Sequence, residues 1–198
     1  KYKRRVVEVH NEEAEDYVAY TMQTEYEEVM SEKREWRKCF AYVDKDLLQI
    51  PGPCINYQHL DNGFTEYNTY ERLKFLCAQI LSGDPTDSIP GLPNLSEAAC
   101  RMVGIRKTRG VNRDVALEYL DSSKDTKELL TRTLFAYYDY YGDGEHIVKN
   151  KNDEDVTMTW KDFANETAIL VYLRRKPNEM FNFVDWCGKL GVFIGGGK

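Results

Sequence analysis

Three groups of carboxylates stand out: Glu13, Glu15 and Asp16 in "NEEAED", Asp44 and Asp46 in "DKD", and Asp84 and Asp87 in "GDPTDSIPG". Seven anions gathered in one small volume would raise one another's pKa unless cations neutralised them. No histidine or thiolate accompanies them, and oxygen-only donors suit Mg²⁺ or Mn²⁺. Two such ions about 3.5–4 Å apart form the usual clamp for phosphodiester hydrolysis, one activating water and the other stabilising the leaving oxygen. Singly, each group has a plainer use. "NEEAED" reads as a solvated helix face, "DKD" as a helix N-terminus and "GDPTD" as a loop. Their order along the chain, each directly after a strand or helix, is what favours convergence.

The elements that must position these acids can be read from the hydrophobic pattern. "VVEV" (residues 6–9) and "CFAYV" (39–43) read as short buried strands. Between them lies a helix with an apolar stripe of Val18, Met22 and Val29, with Asn11 as its cap. Strand, helix, strand suggests a βαβ unit and a parallel sheet, whose functional groups collect beyond the carboxyl ends of the strands. "PGP" (51–53) is a turn, and "CINYQ" and "GFTEY" pair as a hairpin. From Thr69 the pattern becomes helical: "TYERLKFLCAQILSG", stopped by Gly83, then "SIPGLPNLSEAACRMVG", "NRDVALEYL", "TKELLTRTLFAYYDYYG" and "WKDFANETAILVYLRR". "KNKNDEDV" (149–156) reads as an exposed loop. The expected fold class is α/β: part of a parallel sheet with flanking helices over residues 1–68, followed by a helical region over 69–198.

The totals restrict the class of protein. At 198 residues with 42% hydrophobic and 30% charged content, the chain can bury a core as one large or two small domains. It has no run of eighteen apolar residues, so no membrane partner is expected. Five cysteines without CxxC spacing fit reduced thiols and a cytoplasmic setting. Three scattered histidines argue against zinc. The net charge of −6 is unlike that of most nucleic-acid binders, but setting the seven candidate acids aside brings it to +1.

"EEAED", then "VDKDLLQIPG", then "GDPTDSIPGLPNLSEAA" resemble, in order, the successive motifs of the 5′-nuclease superfamily, which includes flap endonucleases and the 5′-nuclease domain of bacterial DNA polymerase I. The short 5′→3′ exonucleases of T-seven-like phages are the most similar, which would place the chain in the host cytoplasm. The resemblance extends from about Val6 to Phe183. It implies two-metal catalysis, with Asp44, Asp46, Asp84 and Asp87 as catalytic metal ligands and Glu13, Glu15 and Asp16 joining them. Glu15 stands where the family usually has aspartate.

It further implies a helix-hairpin-helix element within a helix-three-turn-helix DNA clamp after Asp87. There Asn94, Leu95 and Ser96 replace the usual glycine, apolar residue and glycine. Asn tolerates a left-handed conformation and Ser caps a helix. The resemblance implies phosphate or K⁺ binding at that hairpin. Arg106, Lys107, Arg109 and Arg113 form a basic stretch able to track phosphates, or a solvated loop.

Family members also carry, upstream, a strand with a metal-ligating aspartate and a basic helical arch. Here "KYKRR" matches only the end of that arch, through Tyr2, Lys3, Arg4 and Arg5. The chain is therefore expected to be the C-terminal portion of such a nuclease. It would act on DNA 5′ ends, flaps or RNA–DNA hybrids once a companion N-terminal part is supplied. The alternative is a non-catalytic DNA-binding replication accessory that keeps the clamp.

Overall fold

The computed structural model describes residues 13–106 and 109–194. The expected strand at residues 6–9, the Asn11 cap, Lys3, Arg4, Arg5 and Lys107 lie outside the described residues. The protein is mixed α/β and divides into two compact units. The first comprises residues 1–69 and 173–179. The second comprises residues 70–172 and 180–198. The chain passes from the first unit to the second after residue 69 and returns to the first for residues 173–179.

In the first unit, helix α1 (Ala14–Glu32) starts after Glu13, whose side chain makes no capping hydrogen bond. Its buried residues are Asp16, Ala19, Met22, Glu25 and Val29, one every three or four positions. Met22 and Val29 lie on the stripe as expected, whereas Val18 is only half-buried. Two of the inward positions hold acids, each with its own cation. Arg34 donates to Glu25 at 2.7 Å, as does the backbone N–H of Arg37, and Lys38 pairs with the same carboxylate at 3.3 Å. The Arg34 guanidinium, helped by that N–H, holds the Glu25 pKa down to about 2.

Strand β1 (Phe40–Tyr42) runs parallel to β2 (Pro53–Asn56), and β2 pairs antiparallel with β3 (Phe64–Glu66). The expected hairpin is therefore present. Its register sets Cys54 opposite Thr65. "CFAYV" is shorter and less buried than a fully enclosed strand. Only Phe40 is buried and Ala41 is exposed, because one face alone of β1 packs inward. The link from β1 to β2 runs through a 3₁₀ turn, Lys45–Gln49, and a bend at Gly52 with φ +108°.

The second unit holds one hydrophobic core, in which Leu81, Tyr119, Leu120, Leu129 and Tyr137 are each at most 1% exposed. Its helices are α2 (Thr69–Ser82), α3 (Glu97–Val103), α4 (Arg113–Asp121), α5 (Thr126–Tyr141), α6 (Trp160–Val171) and α7 (Phe183–Lys189). Oxygen side chains start most of them. Ser96, Asn112, Asp125 and Asn182 each accept a backbone N–H of the first turn.

Two readings of this region need correction. "SIPGLPNL" is not helical. Ile89–Pro90 forms strand β5, paired antiparallel with β4 (Gly83–Asp84), and the helix begins only after Ser96. Pro90 and Pro93 lack the N–H a helix would need. "KNKNDEDV" is not a plain loop. Residues from both of its ends join a hairpin of β6 (His146–Lys149) and β7 (Asp155–Met158), closed by Asn150 and by Asp153 at φ +63°. All five cysteines are free thiols, and only Cys39 is exposed. Among the described residues, no helix is long and apolar enough to cross a membrane.

Candidate metal centre

The acids after β1 belong to the first unit. Asp44 follows β1 and caps the 3₁₀ turn, its Oδ1 accepting the Asp46 N–H at 3.0 Å. Asp44 is exposed and Asp46 half-buried. Both sit just past the carboxyl end of a strand in a parallel pair, where ligands of such sheets bind. At the start of α1, Glu13 is exposed and Glu15 half-buried.

Asp16 has a different fate. It is 5% exposed, and both of its oxygens are engaged by Arg174. Oδ1 accepts the Arg174 backbone N–H at 2.9 Å, while Oδ2 accepts Nε at 2.8 Å and Nη2 at 2.5 Å. A carboxylate satisfied this way ties helix α1 to the returning segment 173–179. Arg175 ties the same segment to the 3₁₀ turn by donating to the Gln49 carbonyl at 2.7 Å. Neither arginine was singled out from the sequence, because nothing local marks a partner so distant along the chain.

Asp84 and Asp87 lie in the second unit, on a loop fixed at several points. Asp84 Oδ1 accepts the Thr86 N–H at 2.7 Å and the Asp87 N–H at 3.4 Å, an Asx turn that needs an acceptor side chain at this position. Ser88 adopts φ +59°, a left-handed conformation that tightens the return.

Gly83 and Gly91 bring the two arms of the loop into backbone contact. An ideal Cβ on Gly83 would lie 2.3 Å from the Gly91 nitrogen, and one on Gly91 would lie 2.2 Å from the Ser82 carbonyl carbon. The Leu92 N–H then bonds to the Leu81 carbonyl at 2.8 Å. From α6, the Thr167 hydroxyl donates to the Pro90 carbonyl at 3.0 Å. Asp84 Oδ2 and the Asp87 carboxylate have no hydrogen-bond or ion-pair partner among the described residues.

The segment that follows is partly as expected. Ser96 caps α3, accepting the Ala99 N–H at 3.0 Å, and its hydroxyl also donates to Asp139 on α5. Asn94 is not among the residues with positive φ, so the left-handed turn expected there is not adopted. Among the described residues its buried Oδ1 has no hydrogen-bond partner. Arg106 and Arg109 are exposed on the stretch between α3 and α4. Arg113, at the first position of α4, holds its guanidinium 5.7 Å from the centre of the Phe75 ring.

Among the described residues, no three His, Cys, Asp or Glu side chains are grouped as a metal site. The two acidic pairs, Asp44 with Asp46 and Asp84 with Asp87, each stand within their own unit. Comparison with family models, with curated proteins and with solved structures returned no match to this chain.

Proposed function

We propose that this chain carries the acid-loop and clamp motifs of a divalent-metal-dependent 5′ nuclease that hydrolyses phosphodiesters at DNA 5′ ends or flaps, RNA–DNA hybrids included. The observation that carries the reading is the fixed loop from Gly83 to Gly91. Among the described residues it holds Asp84 Oδ2 and Asp87, three positions apart, with no hydrogen-bond or ion-pair partner, an arrangement that favours an external cation. Oxygen-only donors fit two Mg²⁺ or Mn²⁺ ions, which when bound would supply an activated water and stabilise the leaving oxygen. Asp44, Asp46, Glu13 and Glu15 are the further ligands in this reading. Asp16, saturated by Arg174, serves as a strut rather than a ligand.

Helix α3, started by Ser96, is taken as the second helix of the helix-hairpin-helix within a helix-three-turn-helix clamp. Asn94 Oδ1, buried without a donor among the described residues, is the oxygen a K⁺ at the hairpin would use. Arg106, Lys107, Arg109 and Arg113 track the phosphates, with Lys3, Arg4 and Arg5 as the end of the arch.

A second reading, a DNA-binding replication accessory without catalysis, is favoured by one observation: the engagement of both Asp16 oxygens by Arg174 removes one acid from the ligand set. Cleavage of a 5′-labelled duplex with Mg²⁺ or Mn²⁺ separates the two. The chain alone is expected to cleave little, and the chain supplied with a family N-terminal part is expected to cleave well. Asp84→Asn combined with Asp87→Asn should abolish that activity. Undiminished cleavage by the double variant would refute the metal reading, and DNA binding without cleavage by the complemented chain would establish the accessory one.

A further inference from the structure

We infer that Thr167, on helix α6, is a positioning residue for the acid loop: its hydroxyl fixes the return arm at Pro90 and thereby sets where Asp84 and Asp87 stand. The inference rests on the metal reading of that loop.

Thr167 is 5% exposed, and its Oγ1 donates to the Pro90 carbonyl at 3.0 Å across 77 positions of sequence. Pro90 is half of a minimal ladder, because Gly83 pairs with Pro90 and Asp84 with Ile89. A two-residue ladder is too short to hold a register alone. Pro90 cannot donate a backbone hydrogen bond, so its carbonyl is its only polar backbone anchor. The hydroxyl therefore fixes the arm at the step beside Asp84. The neighbouring backbone contact of Gly83 and Gly91 passes any shift of one arm to the other.

The surroundings distinguish positioning from simple support of the fold. Pro90, Gly91 and Thr167 line an open cleft of about 580 Å³, together with Tyr141 and Phe163. Water entering that cleft can hydrate the Pro90 carbonyl when the hydroxyl is removed. Loss of the hydroxyl should thus free the loop, at a modest cost in overall stability because the same hydroxyl also meets the buried Tyr137 phenol. Thr167→Val keeps the shape of the side chain and deletes the hydroxyl, and Thr167→Ser keeps the hydroxyl.

The test uses the full chain and follows Mn²⁺ through paramagnetic broadening of the Thr86 and Asp87 amide signals, with hydrogen exchange of the Thr86 and Leu92 amides measured in parallel. Wild type and Thr167→Ser should broaden at the same Mn²⁺ concentration. Thr167→Val should need roughly three- to tenfold more, the equivalent of one net hydrogen bond, and should exchange the Thr86 and Leu92 amides faster while core amides such as that of Leu134 exchange as in wild type. Equal Mn²⁺ response and equal exchange in Thr167→Val and wild type would overturn the inference. Absence of broadening in wild type would instead sink the metal reading, and the exchange rates would then decide the positioning role alone. A Thr167→Ser variant as loose as Thr167→Val would also overturn it, since the methyl group would then be what matters.

Discussion

Gly91→Ala is the sharpest single test of how the acid loop is held. A methyl group there would meet the Ser82 carbonyl carbon at 2.2 Å, the Gly83 nitrogen at 2.4 Å and the Ser82 oxygen at 2.5 Å. Carbon atoms in contact prefer about 3.5–4.0 Å and carbon to N or O slightly less, so each approach is roughly an ångström too close. All three obstacles are backbone atoms at the end of α2, and no rotamer change can move them. Overpacking costs about 1–3 kcal/mol, and with only rigid neighbours the expected loss lies at the upper end, about 3 kcal/mol. Gly91 is outside the left-handed region, so this cost is steric alone.

Gly144→Ala supplies the control, because a methyl there meets nothing within 4 Å. Urea denaturation of the full chain, followed by helical circular dichroism, measures the difference. For a protein of this size about 3 kcal/mol corresponds to a fall of roughly 6–12 °C in melting temperature. If Gly91→Ala lies within about 0.5 kcal/mol of Gly144→Ala, a margin typical of neutral surface changes, the close backbone approach is not what the glycine provides.

Two further outcomes are expected. Glu25 has its pKa lowered from 4.5 to about 2, so its contribution to stability is complete above pH 4.5 and disappears as the pH falls towards 2; Glu25→Gln should flatten the melting-temperature profile over that window, and an unchanged slope would count against the Arg34 pairing. Burial raises the thiol pKa of Cys54 to about 11 and of Cys77 to about 12, and that of Cys187 still further, whereas Cys39 is exposed. An aromatic disulfide reagent should therefore react quickly with one thiol of the native chain, and Cys39→Ser should remove that fast phase.

Where the sequence carried local signals, the structure could be anticipated. The apolar spacing of Leu76, Cys77, Ile80 and Leu81 belongs to α2, and Gly83 ends it with φ +63°. Ser96 could be recognised as a helix cap because a hydroxyl just before a helical run has few other uses. The acid loop was legible as a turn from its Pro and Gly content. The mutual contact of its two glycines was not, because it depends on two arms meeting in space.

Charges on an inward face misled in the other direction. Asp16 and Glu25 occupy buried positions of α1 that sequence periodicity reserves for apolar side chains, and their compensating cations are Arg174 and Arg34. The β6–β7 hairpin was hidden because none of its strand residues is fully buried. Its apolar residues Ile147, Val148, Val156 and Met158 do not pack into a buried face, and two strands of four residues give too short a pattern to read.

The pairing of Asp16 with Arg174 spans 158 positions, and it turns the order of synthesis against the order of folding. A ribosome adding about 5–20 residues per second delivers helix α1 well before its arginine. The helical unit, interposed between the two parts of the first, can begin to pack while α1 still waits with an uncompensated carboxylate on its inward stripe. Contacts of such long range also slow folding by raising the entropy cost of closing the chain. A chain cut short at residue 172 would keep all seven candidate acids and every turn of α1, yet leave the first unit unable to close.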